Sequence, residues 1–201
     1  MAPHLPTRIP SHIGPTGFAN GYSSRWIVAL LQPAIMLLIL LGWEGLWRID
    51  PWRENYAAMA PTYRFVGGLI VGFLALVQTL LLLNGIGWLL WNVSRLFGAL
   101  LGLLLALLAN VLPRVQPNWW IGIRTPWTLS SEAVWRRTHQ LGGQTGVITG
   151  FAVIATSLVL PATLAIESAT SLILLWAIAM TVASYRFFAD PPAKPGSRLR
   201  L

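Results

Sequence analysis

Cysteine is missing from this chain and lysine nearly so: of 201 residues none is Cys, and only Lys194 is Lys. Without thiols there is no disulfide framework, no thiolate metal site and no cysteine nucleophile. Charge is scarce as well. Charged residues make up 10% of the sequence, where a soluble domain carries about a quarter. That deficit argues against an ordinary water-soluble fold and for an integral membrane protein. The net charge of +8 would suit a polyanion. However, there is no basic helix, Lys-rich run or reader motif, so direct nucleic-acid binding is not expected. Histidine is limited to His4, His12 and His139, isolated from one another, so no metal site is expected.

Hydrophobic residues make up 55% of the chain, and they come in runs. Five spans are placed at about 26–43, 65–83, 96–112, 147–166 and 169–188. Each is near the ~20 residues that cross a hydrocarbon core of ~30 Å as a helix. Lipid offers main-chain polar groups no partner, and the runs lack the alternation of barrel strands, so helices are predicted. The fold class is therefore all-α, a polytopic transmembrane bundle of about five spans. Only 84–87 and 91–95 interrupt the second and third runs, which predicts a tight helical hairpin.

Cations set the orientation. With the central polar stretch on the cytoplasmic side, that side holds Arg48, Arg53, Arg64, Arg114, Arg124, Arg136, Arg137, Arg186, Lys194, Arg198 and Arg200. The other side holds Arg8, Arg25 and Arg95, so the division is eleven against three. The organisation expected is a polar segment 1–25 outside, a membrane domain 26–188 and a basic cytoplasmic tail 189–201. Pro and Gly in 1–25 argue for turns or a disordered tail, with Asn20-Gly21 suited to a type I′ turn. Such a tail, with two Arg, has no device for crossing a membrane. A further apolar span upstream of Met1 is therefore expected.

Small residues suggest how the spans pack. Gly68 and Gly72, Gly98 and Gly102, and the ladder Gly142, Gly146, Gly150 each put glycine on one helix face, where backbones can approach closely. Pro33 and Pro161 are expected to kink spans. Polar residues in or beside the spans are few: Gln32, Glu44, Gln78, Asn110 and Glu167. Glu44 stands four residues before Arg48, which predicts an interfacial ion pair. Glu167 is expected in the turn between the last two spans.

The longest polar interruption, 110–143, holds four of the eleven Trp. Pro113 and Pro117 stop the third span, and Gly122 allows a turn or a close backbone approach. Thr128 or Ser130 is a suitable N-cap for a helix from Ser131, with Glu132 in its first turn and Arg136 at i,i+4. Its pattern suits a short helix lying in the membrane interface. Trp119, Trp120 and Trp127 suit the aromatic belt. Arg124 is placed to meet a lipid phosphate or to reach back to Asn110. Glu132 and His139 lie about two turns apart, too far to work as base and orienter. His139 is expected solvated at a helix C-terminus, and no catalytic set or cofactor is expected.

The wording of 117–139, Pro-Asn-Trp-Trp-Ile-Gly-Ile-Arg-Thr-Pro-Trp-Thr-Leu-Ser-Ser-Glu-Ala-Val-Trp-Arg-Arg-Thr-His, resembles the signature of the SdpI family of bacterial membrane proteins. Asn110, Pro113, Asn118, Gly122, Arg124, Thr125, Pro126, Trp127, Ser130, Glu132, Trp135 and His139 match it. Ile9-Pro10-Ser11-His12 with Gly17, Asn20, Gly21 and Arg25 resembles a module of unknown function that often precedes the family's second span. Family members usually have six spans. The resemblance implies a multi-pass protein of the bacterial inner membrane and a non-enzymatic role in immunity to, or sensing of, an antimicrobial peptide or envelope stress. It also implies an extracellular peptide partner and a cytoplasmic winged-helix repressor, docking on the signature loop with Arg136 and Arg137. A small-molecule transporter or channel, its path lined by Gln32, Gln78 and Asn110, is the alternative.

Overall fold

The computed structural model describes residues 6–190; His4, Lys194, Arg198 and Arg200 lie outside them. In chain order the elements are a hairpin of β1 (Arg8–Ile13) and β2 (Ala19–Ser24), then α1 (Arg25–Leu46), α2 (Tyr56–Gly85), α3 (Val93–Val111), α4 (Pro126–Ser130), α5 (Glu132–Val159) and α6 (Ala162–Ala189). All but α4 among the helices are long and apolar enough to cross a membrane. The protein is a multi-pass membrane bundle, as its composition requires. The hairpin, the α2–α3 connection and the α5–α6 break gather at one end. The α1–α2 connection and the central segment gather at the other, called here the loop end.

The antiparallel hairpin replaces the turns or disordered tail expected before α1. Asn20 and Gly21 lie inside β2. The reversal is made at 14–17 instead, where Gly17 takes φ 86° and its N–H donates to the Gly14 carbonyl at 2.9 Å. A lone two-stranded hairpin is marginal in water, and tertiary contacts hold this one. Ile9 is fully buried where a Cβ on Gly85 would collide with it. Asn92 Nδ2 donates to the Thr16 carbonyl and Ser94 Oγ to the Gly14 carbonyl, both at 3.0 Å. Asn92 Oδ1 also accepts from the Ser94 N–H at 3.0 Å, which caps α3. One side chain thus fixes both the hairpin tip and a helix start.

Helix α3 packs against α5 through small residues. A Cβ added to Gly102 would lie 2.6 Å from the Gly150 carbonyl oxygen, and one on Gly150 would lie 2.6 Å from that of Gly102. Gly98 faces Ser157, and Gly146 faces Ala109 and Trp176. These glycine faces behave as expected for helices that associate in lipid by close approach. Gly68 and Gly72 do not: nothing lies within 4 Å of a Cβ at either, and both open onto an apolar groove beside Leu103 and Leu104.

Helix α1 is held mainly by α2. Gln32 Nε2 donates to the Leu74 carbonyl at 2.9 Å and Gln78 Nε2 to the Val28 carbonyl at 2.7 Å. Towards the loop end the Trp43 ring stacks on Tyr63 with centroids 4.8 Å apart, over the bare face of Gly67.

Several boundaries differ from expectation for reasons of packing. Helix α2 starts at Tyr56, nine residues before the predicted span. Tyr56, Met59, Tyr63 and Val66 recur at helical spacing and bury in one cluster with Val111, Val115, Ile121 and Trp135, which extends the helix. Pro33 lies inside α1, but Pro161 stands at the break before α6 instead of within a span. Glu167 belongs to α6, not to a turn. Arg48 Nη1 donates to the main-chain oxygen of Glu44 at 3.1 Å, not to its carboxylate. The short helix of the central segment lies earlier than expected, at α4, and residues from Glu132 onward form the first turns of α5.

Two glycines give a paired test. Gly150→Ala drives a Cβ into a main-chain oxygen and should cost about 1–3 kcal/mol. Gly68→Ala meets open space and should gain up to about 1 kcal/mol from helix propensity. Denaturant unfolding in detergent measures both, and equal losses at the two sites would refute the packing assigned here.

Candidate functional site

The central segment is short of regular structure and dense in side-chain-to-main-chain bonds. Asn118 is fully buried and organises the turn after α3. Its Oδ1 accepts from the N–H groups of Trp120 and Ile121, each at 2.7 Å. Its Nδ2 donates to the carbonyls of Gln116 at 2.8 Å and Ile121 at 3.0 Å. Buried main-chain groups need such partners, and here one amide serves four of them.

His139 completes the turn. Gly122 takes φ +114°, and the atom nearest to its absent Cβ is His139 Nε2. That nitrogen accepts from the Ile123 N–H at 3.0 Å. The proton must then sit on Nδ1, which donates to the Trp135 carbonyl at 2.8 Å. The imidazole stacks on Trp135 with centroids 4.0 Å apart, and Trp135 Nε1 donates to the Val115 carbonyl at 2.8 Å. His139 is therefore not solvated at a helix end. It is 1% exposed in the second turn of α5 and braces the loop. Trp135, Thr138 and His139 at helical spacing, opposite a glycine that must stay bare, were the signal available for this.

The next turn is tied to α6. Thr125 caps α4 in a capping box, with Thr128 Oγ1 accepting from the Thr125 N–H at 2.9 Å. Thr125 Oγ1 also meets Ser184 Oγ at 3.0 Å. Ser131 caps α5, in place of the predicted Thr128 or Ser130. Trp127 packs edge-on against Tyr185, with centroids 5.1 Å apart. The Arg137 guanidinium lies 4.2 Å from the Phe187 ring centroid.

Asp50 was not anticipated from the sequence. It is 3% exposed, in the α1–α2 connection. Its Oδ1 accepts from the Trp52 N–H at 2.8 Å; its Oδ2 accepts from Tyr56 Oη at 2.6 Å and the Trp119 N–H at 2.9 Å. A buried carboxylate is tolerable when donors surround it in this way. Asn55 Nδ2 adds a bond to the Pro117 carbonyl at 2.8 Å. The α1–α2 connection and the central segment are thus one unit. An Asp-Pro pair followed by Trp between two spans was the available hint, since Asp bonds its own backbone two residues on.

The signature residues divide by exposure. Asn118, Thr125, Trp135 and His139 are buried, and Gly122, Trp127 and Arg137 are half-buried. Asn110, Pro113, Arg124, Pro126, Ser130, Glu132 and Arg136 are exposed. Arg136 pairs with Glu132, as their spacing predicts. The contact from Arg124 to Asn110 is not made. Both ring nitrogens of His139 are taken by main-chain groups, and Ser130 Oγ donates to the Trp127 carbonyl at 3.0 Å. Neither residue is poised for proton transfer. Among the described residues no three His, Cys, Asp or Glu gather to hold a metal ion.

Asn118→Ala strands the buried N–H groups of Trp120 and Ile121, at about 1–3 kcal/mol for each unpaired group. Trypsin should then cut detergent-solubilised protein after Arg114 and Arg124 at least about tenfold faster, because local opening sets proteolysis there. Unchanged cleavage would mean the loop does not depend on Asn118.

Comparison with known proteins bears on all of this. The model of the SdpI/YfhL protein family matches residues 114–188, and a domain of unknown function (DUF1648) matches residues 1–37. The chain is 30% identical over 165 residues to "Immunity protein SdpI" of Bacillus subtilis (strain 168), covering 82% of this chain and 76% of that protein. No solved structure matches. The family match begins at the loop end and runs through α5 into α6, and the relative's identity extends over most of the chain. The protein belongs to the SdpI/YfhL family.

Proposed function

We propose that this protein is a non-enzymatic immunity protein of the bacterial inner membrane, which meets an antimicrobial peptide or a related envelope stress at its hairpin end. One observation carries the reading: the identity to an immunity protein spans 82% of the chain, too much to be a shared loop alone. The cation distribution supports the orientation. Arg8, Arg25 and Arg95 cluster at the hairpin end, and Arg48, Arg53, Arg114, Arg124, Arg136 and Arg137 at the loop end, as the positive-inside rule requires of a cytoplasmic loop.

Signalling would run along α3. The hairpin tip is bonded to the start of α3, and the other end of α3 runs into the signature loop. Contact with a peptide outside would bias one packing of this block over another and change how the loop is presented. The exposed rim of Arg124, Ser130, Glu132 and Arg136 is then the docking face for a cytoplasmic winged-helix repressor, held at the membrane and away from its DNA. Trp127 and Arg137 support that rim by packing on α6.

A survival assay tests the reading. The full chain is expressed in a sensitive bacterial host, and a panel of purified antimicrobial peptides is titrated. At least one peptide should require a several-fold higher dose to kill; identical killing curves across the panel would sink the proposal. Arg124→Ala should retain protection while recovering about tenfold less repressor with the membrane fraction. Undiminished recovery would leave the rim as a mere connector.

A further inference from the structure

Two glutamines sit well within the apolar part of the bundle. Gln32 is seven residues into α1 and Gln78 seven before the end of α2, which places both about 10 Å in from the hairpin end. Each gives its amide nitrogen to the main chain of the other helix, Gln32 to Leu74 and Gln78 to Val28. Carbonyls only accept, so these bonds fix which way each amide faces, and both Oε1 atoms are left over. Neither oxygen has a hydrogen-bond partner among the described residues. Gln78 is 6% exposed, yet its Oε1 is not among the sealed, unpartnered atoms of the interior. It reaches the cleft between α1 and α2.

That cleft has a volume of about 390 Å³; Ser11 and Ser23 of the hairpin stand at its mouth, and Leu31, Ile35 and Leu74 form its walls. Its chemistry is two acceptors set in an apolar wall. Lipid tails carry no donor, and an unpaired amide oxygen at this depth is costly. The complement is an apolar segment that brings N–H groups with it, which describes a peptide main chain.

We propose that the α1–α2 cleft is the seat of the antimicrobial peptide, whose main-chain N–H groups bond Oε1 of Gln32 and Gln78 while its apolar side chains lie on Leu31 and Ile35. The proposal rests on the immunity reading above. The same two glutamines tie α1 to α2, so an occupant of the cleft acts on the joint between them. The far end of α1 leads to Asp50, which bonds the signature loop.

The probe is the peptide that raises survival in the titration, labelled with a fluorophore. The full chain is reconstituted in phosphatidylethanolamine and phosphatidylglycerol liposomes. The double variant Gln32→Met, Gln78→Met keeps side-chain length but removes both oxygens and, with the amide nitrogens, the two bonds from α1 to α2; it should bind about tenfold more weakly or worse. Because the chain has no native cysteine, Leu31→Cys and Ile35→Cys give unique labelling sites. The peptide should slow maleimide reaction in both variants, but not in Leu174→Cys on the exposed face of α6. These chains retain both glutamines, so the labelling decides the matter even where the double variant fails to insert. Wild-type affinity in the double variant, or no slowing in either the Leu31→Cys or the Ile35→Cys chain, overturns the site alone. Full slowing by liposome lipid without peptide overturns it as well, since lipid then fills the cleft. Failure of every peptide to protect cells overturns the immunity reading and the site together.

Discussion

In lipid a helix gains nothing by hiding leucine from its surroundings, so the bundle rests on how closely its backbones approach. That approach is tightest where Gly102 of α3 meets Gly150 of α5, each glycine facing the other's carbonyl oxygen. With those faces bare, Ala106, Ala109, Gly146 and Val153 bury along the same seam. Helix α6 closes on α5 beside it, with Trp176 against Gly146 and its Nε1 donating to Thr145 Oγ1 at 3.1 Å. Everything at either end is attached to this block.

At the loop end the constraint changes from close packing to hydrogen-bond satisfaction. The segment between α3 and α5 has little regular structure, so few of its main-chain groups pair among themselves and the rest would be costly to bury. Asn118, His139, Thr128 and Asp50 supply the missing partners. This explains why a polar, Trp-rich stretch is so ordered in residue type: several of its polar side chains complete a specific main-chain group. What is left exposed, chiefly Arg124 and Arg136, is free of that duty. A residue such as Trp127, packed on Tyr185, serves the loop itself.

The hairpin end follows the same logic with fewer groups. Asn92 and Ser94 hold the hairpin tip while Asn92 also starts α3, and Ile9 fills the space that Gly85 leaves. A segment that by composition belongs among turns becomes a sheet because the bundle provides its partners. Its placement over the α1–α2 joint sets Ser11 and Ser23 beside the cleft that Gln32 and Gln78 also line.

Much of the fold was legible in the residues. Scarce charge, absent cysteine and five apolar runs determine a multi-pass helical bundle, because lipid permits little else to a chain of this composition. The cations Arg8, Arg25 and Arg95 already pointed to the two ends, and the glycines 98, 102, 146 and 150 to close-packed helix faces, but not to which helix each face meets. The outcome at Gly68 and Gly72 was not legible, since the same spacing arises on a helix face that meets nothing. Nor was the role of His139 or Asp50, because each is defined by partners far off in sequence: Ile123 for one, Trp119 for the other. Periodicity reports which face of a helix is apolar, and composition reports the solvent. Which main-chain group a buried side chain completes depends on how separate elements meet, and only the tertiary structure decides that.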